Sequence, residues 1–514
     1  MVYIMPLRAL PRGGWKAGVI VAVLLLAVAL LAITPGQSSA QILIPGWWTQ
    51  LGYDPYHTSF IPASIMVGNF SGTVYRAWSF IMPRNEGQMG FYANPIIADV
   101  DGDGINEIVV TDGGGRLLVL YGSDVPGLDT NNFTTLYKLS IYVNASYYSA
   151  PALADVDNDG VLEAIVGCRD GYVRCVDLNT GVLEWEAYVG INIASSPLVY
   201  DIDSDGVIDV IITSANNTYR INGKYGNIVW KSYIGRGLQS VSSPVLLDDI
   251  NGDNIKDIAV ANLWGYIAII DGKHGDLIRQ VDLWSTGFKG LFIVHSPISA
   301  DIDGDGIREI IVSAGIEILD RTSSRLGYNG SIVAIDPKTG SIDAAINTGG
   351  FAWFSQPAIA AADIDKDGMD EVFIAECDGY LYRLDYDGTN FLATWRYQYD
   401  PYWPAWSTIL TSHAASIAIA DLNNDTVYEI ALVTPYYTTT TVYRVYIINT
   451  LDGSVIAAND ILDKYTVASY APFLATNYDA KATSPSLSIG DVDKDTFAEI
   501  IVASFQVISC VELS

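Results

Sequence analysis

Basic residues are few. Lys and Arg total 28 against 58 Asp and Glu, for a formal charge of −30. A surface that neutralises phosphates needs clustered Lys and Arg, so nucleic acid is not an expected partner. Histidine occurs four times, at His57, His274, His295 and His413. His295 and His413 stand near the start of their repeats, and two such residues do not make a catalytic site. No Gly-x-Ser-x-Gly or metalloprotease run is found, which removes two common hydrolase signatures. Cysteine is equally sparse: Cys168, Cys175, Cys377 and Cys510, none with zinc-ligand spacing. Cys168 and Cys175 can bridge only if a hairpin register sets them opposite one another. The bland alternative is buried small residues. Helical periodicity is not sustained beyond the N-terminal region.

That region has Arg8, Arg12 and Lys16 ahead of an apolar run, residues 17–33, and then "SSAQ". The pattern predicts a signal peptide over 1–40, cleaved after Ala40. The alternative is an uncleaved anchor, since the run approaches the ~20 residues that span a bilayer. Either places the remainder outside the cytoplasm, with membrane contact only through this segment. In a secreted chain, the Asn-x-Ser/Thr sites at Asn69, Asn132, Asn144, Asn216, Asn329 and Asn424 are candidate glycan acceptors.

What the chain has in abundance is one phrase. "ADVDGDGINEIVV" at residues 98–110 returns in seven further copies, as acid-x-(Asp/Asn)-x-Asp-x-x-x-acid followed by an apolar run. Positions one, three, five and nine of eight copies make 32 places. Two of these are Asn, so 30 of the 58 acids sit in loops of one design. A generally acidic surface would not be so organised. Calcium takes six to eight oxygen ligands in flexible geometry. Side chains at positions one, three and five can point oxygens inward, position seven can give a backbone carbonyl, and the acid at nine closes the shell. The expected ligands are Asp99, Asp101, Asp103, Ile105 and Glu107 in the first loop, and Asp155, Asp157, Asp159, Val161 and Glu163 in the second. The third and fourth offer Asp201, Asp203, Asp205, Val207 and Asp209, then Asp249, Asn251, Asp253, Ile255 and Asp257. The fifth and sixth offer Asp301, Asp303, Asp305, Ile307 and Glu309, then Asp363, Asp365, Asp367, Met369 and Glu371. The last two offer Asp421, Asn423, Asp425, Val427 and Glu429, then Asp491, Asp493, Asp495, Phe497 and Glu499. An EF-hand closes at position twelve between helices; here the closing acid is at nine and a strand follows. Without a cation the carboxylates would repel or take up protons. Asn251 and Asn423 at position three, and the missing glycine at six in the loops of Asp249, Asp421 and Asp491, predict weaker or empty sites there.

Each repeat adds a proline-led short strand before the loop, a β-branched run after it, a Gly turn, a third strand, a second turn and a fourth strand. Four short antiparallel strands repeated eight times predict an all-β fold, an eight-bladed β-propeller with four-stranded antiparallel blades. A β-helix has much shorter rungs. The expected domains are a leader over 41–72 that packs on the propeller, and one propeller over 73–514. The final repeat has only three strands, "TSPSLSIGDV", "AEIIVAS" and "QVISCVEL". "GTVYRAWSFIM" (72–82) reads as a fourth strand without the three before it. Residues 73–82 are therefore expected to complete the last blade beside 506–513, because a ring left open exposes sheet edges.

The acidic loop followed by "IVV" resembles the FG-GAP family, whose repeats build the propeller of integrin α chains. The Phe-Gly…Gly-Ala-Pro spelling itself is missing. The tails "GYVRCVDLNTGVLEWEAYVG" and "GSIVAIDPKTGSIDAAI", and the leader "WWTQLGYDPYHTSF", resemble quinoprotein (pyrroloquinoline quinone) propellers. The first resemblance implies several structural calcium ions. The second implies a quinone and one calcium at the centre, but no candidate residues stand outside the loops. Trp78, Trp185, Trp230 and Trp395 occupy fourth-strand positions, where packing between blades is the expected role. Three functions stay open: a secreted or cell-surface recognition or adhesion protein, an enzyme (a propeller-type polysaccharide lyase or a quinoprotein), and an architectural envelope component. Segments 400–413 and 465–484 are rich in Tyr and Trp, which suit a glycan or protein ligand at blade-connecting loops or a cover for the channel.

Overall fold

The sequence alternation of the second repeat becomes four antiparallel strands, Ala152–Ala154, Glu163–Gly167, Tyr172–Asp177 and Leu183–Tyr188, hydrogen-bonded in that order. The first two are buried along their whole length. They lie between neighbouring blades, which is why they read as unbroken apolar runs. The outer strand alternates, with Trp185 and Ala187 turned inward. This computed structural model describes residues 48–62, 72–81, 91, 93–122, 137–146, 148–191, 193–235, 242–262, 264–285, 291–292, 296–318, 327–348, 358–376, 378–399, 415–435, 441–463, 485–495, 497–504 and 507–513. Among them there is no helix. The signal segment, His295, His413, Cys377 and the segments 400–413 and 465–484 lie outside the described residues.

Eight such sheets form the propeller. The fifth departs from the four-stranded plan, because Leu291–Phe292 pairs with the far end of its long second strand, Glu309–Ile318. Ring closure follows the expectation. Val74–Ile81 runs antiparallel to Val507–Leu513, from Val74 opposite Leu513 to Ile81 opposite Val507. Ser79 and Ser509 share a hydroxyl hydrogen bond of 2.8 Å.

Blades are latched by their outer-strand tryptophans. The Nε1–H groups of Trp185, Trp230 and Trp395 donate to Gly223, Gly272 and Thr450 carbonyls in the next blade, at 2.6, 2.9 and 2.9 Å. The inter-blade role expected of these three is the one they play. The Cys168–Cys175 bridge does not form: Cys175 lies opposite Ile165, and Cys168 pairs with Ala145. Cys168 and Cys175 are buried free thiols, and Cys510 is buried too.

The leader does more than pack. The inner strand of a blade has one edge facing the axis, with N–H groups that need acceptors. In blades 1 to 7 the equivalent N–H, opposite the residue just after the closing acid, donates to the leader. Ile97, Leu153, Leu246, Ser299, Ala361 and Ile419 donate to the carbonyls of Trp48, Thr49, Pro55, Tyr56, Thr58 and Ser59, at 2.8–3.0 Å. Val199 donates to Gln50 Oε1 at 3.3 Å. Residues 48–61 therefore pass from blade to blade around the axis. That curvature needs left-handed residues: Gly52, Tyr53, His57 and Ser59 all have positive φ. A Cβ on Gly52 would lie 2.6 Å from His57 Cα. Asp54 steadies the curve by accepting the Tyr56 and Thr58 amides and the Thr58 hydroxyl.

Candidate metal centres

Each acidic loop joins an inner strand to a second strand and is shaped by its own carboxylates. In the second loop Asp155 accepts the amides of Asp159 and Gly160, both at 3.0 Å, and Asp159 accepts Val161 at 2.8 Å. Glu163 Oε2 accepts the Val156 amide at 2.9 Å. In all eight loops the closing acid accepts the amide of position two, at 2.7–3.2 Å. Position five accepts the amide of position seven in every loop, at 2.8–2.9 Å.

Position six is left-handed at Gly104, Gly160, Gly206, Gly306 and Gly368, and also at Asn254 and Thr426. Losing the glycine therefore does not unmake the loop, although a β-branched Thr426 at φ 72° carries strain. Position four is left-handed in all eight loops, through Gly102, Asn158, Ser204, Gly252, Gly304, Lys366, Asn424 and Lys494. Sequence reasoning missed that second bend, although the bias to Gly and Asn was visible.

Positions one, three and nine converge. One carboxylate oxygen from each of Asp155, Asp157 and Glu163 lies within 4.8 Å of the others, and so it is for Asp99, Asp101 and Glu107, for Asp201, Asp203 and Asp209, and for Asp301, Asp303 and Glu309. The position-five acids are not in these four groups. Asp253 instead groups with Asp271 and the exposed His274 of a neighbouring turn, an arrangement the linear spacing does not reveal.

Whether a cation fits is tested by the oxygens themselves. Glu163 is fully buried, and its Oε1 makes no hydrogen bond. Asp203 Oδ1 is likewise buried and unpaired. A buried acceptor without a donor costs stability unless something positive meets it. Burial, reinforced by neighbouring carboxylates (Glu184 foremost for Glu163), lifts Glu163 and Glu429 to about 8 and Glu309 and Glu499 to about 9. Glu107 and Glu371 reach about 7, and Asp209 about 6, because a basic side chain opposes the effect of burial. Lys138 Nζ lies 2.6 Å from Asp101 and 2.5 Å from Glu107. Arg220 lies 2.5 Å from Asp203 and 2.7 Å from Asp209, and Arg383 lies 3.1 Å from Asp365 and 3.6 Å from Glu371. In the seventh loop the Asn423 amide donates to Asp425 and Glu429, both at 3.1 Å. The loops thus offer oxygen donors of the kind calcium takes, in surroundings that differ from blade to blade.

At the axis the inner-strand N–H groups of seven blades bond the leader, and His57 is buried there with Nδ1 3.1 Å from the Pro297 carbonyl.

Residues 99–166 match the family described as FG-GAP-like repeat, and residues 325–416 match the Lambda-carrageenase beta-propeller domain. No curated protein sequence matches the chain. Among solved structures, the quinohemoprotein alcohol dehydrogenase of Comamonas testosteroni is 12% identical, with 91% of this chain and 80% of that one covered and a TM-score of 0.52. Sqt1 of Saccharomyces cerevisiae is 11% identical, over 87% of this chain and 100% of that one, with a TM-score of 0.51. The V. cholerae biofilm matrix protein Bap1 is 11% identical, over 86% and 91%, with a TM-score of 0.51. At such identities the likeness is one of fold. The chain is an eight-bladed β-propeller in which residues 99–166 match the FG-GAP-like repeat.

Proposed function

We propose that this is a calcium-stabilised recognition propeller of the cell exterior, non-catalytic, with a glycan as its ligand. The calcium part is carried by one observation: the unpaired, buried Oε1 of Glu163 among the Asp155 and Asp157 carboxylates. The resident ions act as structural counter-ions, each offsetting two negative charges of a chain at −30. Recognition falls to the rim. Tyr142, Tyr188 and Tyr233 are the last residues of the outer strands in blades 1 to 3, and all are exposed. Exposed Trp284 continues the series two residues beyond the outer strand of blade 4. Aromatic faces presented on rigid strands suit sugar rings. A glycan array probed with and without calcium tests the reading. Binding lost with Tyr188→Ala or Tyr233→Ala, at unchanged melting temperature, supports it, and no binding to any glycan counts against it.

The match of residues 325–416 to the propeller of lambda-carrageenase favours a second reading, an enzyme acting on a polysaccharide. Incubation with carrageenans and uronate polymers, followed for new chain ends and ultraviolet-absorbing unsaturated products, separates the two.

A further inference from the structure

In every blade two residues hold the same register position relative to the acidic loop. One is a third-strand residue; the other is the outer-strand residue left unpaired by a bulge at the same place in all eight blades. The pair is Val119 and Lys138 in blade 1, Arg220 and Val229 in blade 3, and Arg383 and Thr394 in blade 6. In each of these the basic member reaches the loop carboxylates above it. In blade 2 the pair is Cys175 and Glu184, and in blade 5 it is Ala334 and Asp343. These acids face the same way: Glu184 acts electrostatically on Glu163, and Asp343 on Glu309. In blades 4, 7 and 8 both members are uncharged (Ile269 and Ile278, Ile447 and Ile456, Cys510 and Ala77).

We propose that this pair sorts the loops: in blades 1, 3 and 6 the protein's own ammonium or guanidinium is the cation, and in blades 2 and 5 a fifth carboxylate makes the loop take a divalent ion from solution most tightly. The inference rests on the calcium reading above. Its physics is charge balance at short range. A Lys or Arg already paired with the carboxylates at positions three and nine, at 2.5–3.6 Å, must be displaced before an ion can enter, whereas Glu184 or Asp343 adds attraction. The acids alone would not argue for an ion. The unpaired buried oxygen of Glu163 does, and it belongs to one of the two blades with the added acid; the other unpaired oxygen, Asp203 Oδ1 in blade 3, sits on a carboxylate whose Oδ2 is already held by Arg220 at 2.5 Å.

The test is a count of tightly held calcium on the purified full chain, by dialysis against calcium alone with atomic emission, beside titration calorimetry. Glu184→Lys should lose one tight ion and should melt in chelator no lower than the parent, because the new ammonium replaces the metal. Lys138→Glu should gain one tight ion. Glu184→Gln, which cannot supply a cation, should weaken one site by about tenfold or more while folding normally. Ion counts unchanged by Glu184→Lys and Glu184→Gln, or no gain from Lys138→Glu in a cooperatively melting protein, overturn the sorting while leaving calcium binding intact. A parent chain that holds no calcium overturns both.

Discussion

Trp185 reaches out of its own blade: its Nε1–H donates to Gly223 O at 2.6 Å, and its ring covers Gly226, where a Cβ would lie 2.7 Å from it. Gly226 also has a φ of +69°. Gly226→Ala should therefore cost about 1–3 kcal/mol through overpacking and backbone strain. Trp185→Ala should cost about 3–5 kcal/mol through the cavity it leaves. Urea denaturation of the two variants checks both values. A Gly226→Ala protein as stable as the parent would contradict the latch.

Removing calcium should lower the melting temperature. An ion that binds only the folded state at 100 times its Kd adds about 2.7 kcal/mol. Calorimetric scans in excess calcium and in chelator give the difference. Identical scans would sink the proposal of structural ions.

The leader makes a pH dependence with two opposed parts. His57 is buried and neutral, its pKa depressed by burial to about 4 from 6.5. Its contribution is fully present above pH 6.5 and is lost as pH falls towards 4, because the unfolded chain then binds more protons. Burial raises Asp54 to about 6 from 3.8, so its contribution is present below pH 3.8 and is lost as pH rises towards 6. The windows overlap with opposite sign. Subtracting the stability–pH profile of His57→Gln from that of the parent should leave acid sensitivity of up to about 3 kcal/mol. Asp54→Asn, which keeps an oxygen for the Tyr56 and Thr58 amides, should leave a difference of opposite slope. Two flat difference profiles would show that neither group is held as described.

Closure can be broken at one place. Deleting residues 41–82 removes the strand that covers Val507–Leu513 and the acceptors of seven inner-strand amides. Aggregation, read by light scattering, and loss of a single melting transition are expected. A monomeric protein with one sharp transition would argue against the closure as a stabilising device.

Much of this architecture was readable from residue order. The recurring Asp-x-Asp-x-Asp phrase marks every blade, and the missing fourth strand after "QVISCVEL" points to Val74–Ile81. What stayed hidden depends on register or on backbone groups. Lys138 and Glu184 differ in sequence by an ordinary surface substitution, and only the bulge places each beneath its loop. The leader's bonds run through carbonyls of Trp48, Thr49, Pro55 and Tyr56, which leave no side-chain signature. Position four of the loops is Gly or Asn in five copies but Ser204, Lys366 and Lys494 in the others, so the bias is visible while the shared left-handed turn is not.

The leader's path also bears on how this protein comes to exist. Ile61 and Ile419 bond across 358 positions, and Val74 and Leu513 pair across 439. Segments made first must wait for partners made last. Such high contact order implies slow folding, with the ring completed only after the final strand has emerged. The same device raises the barrier in reverse, since an opening blade must first part from a strap bonded to its neighbours. The molecule's durability is then set by the rate of that opening as much as by its equilibrium stability.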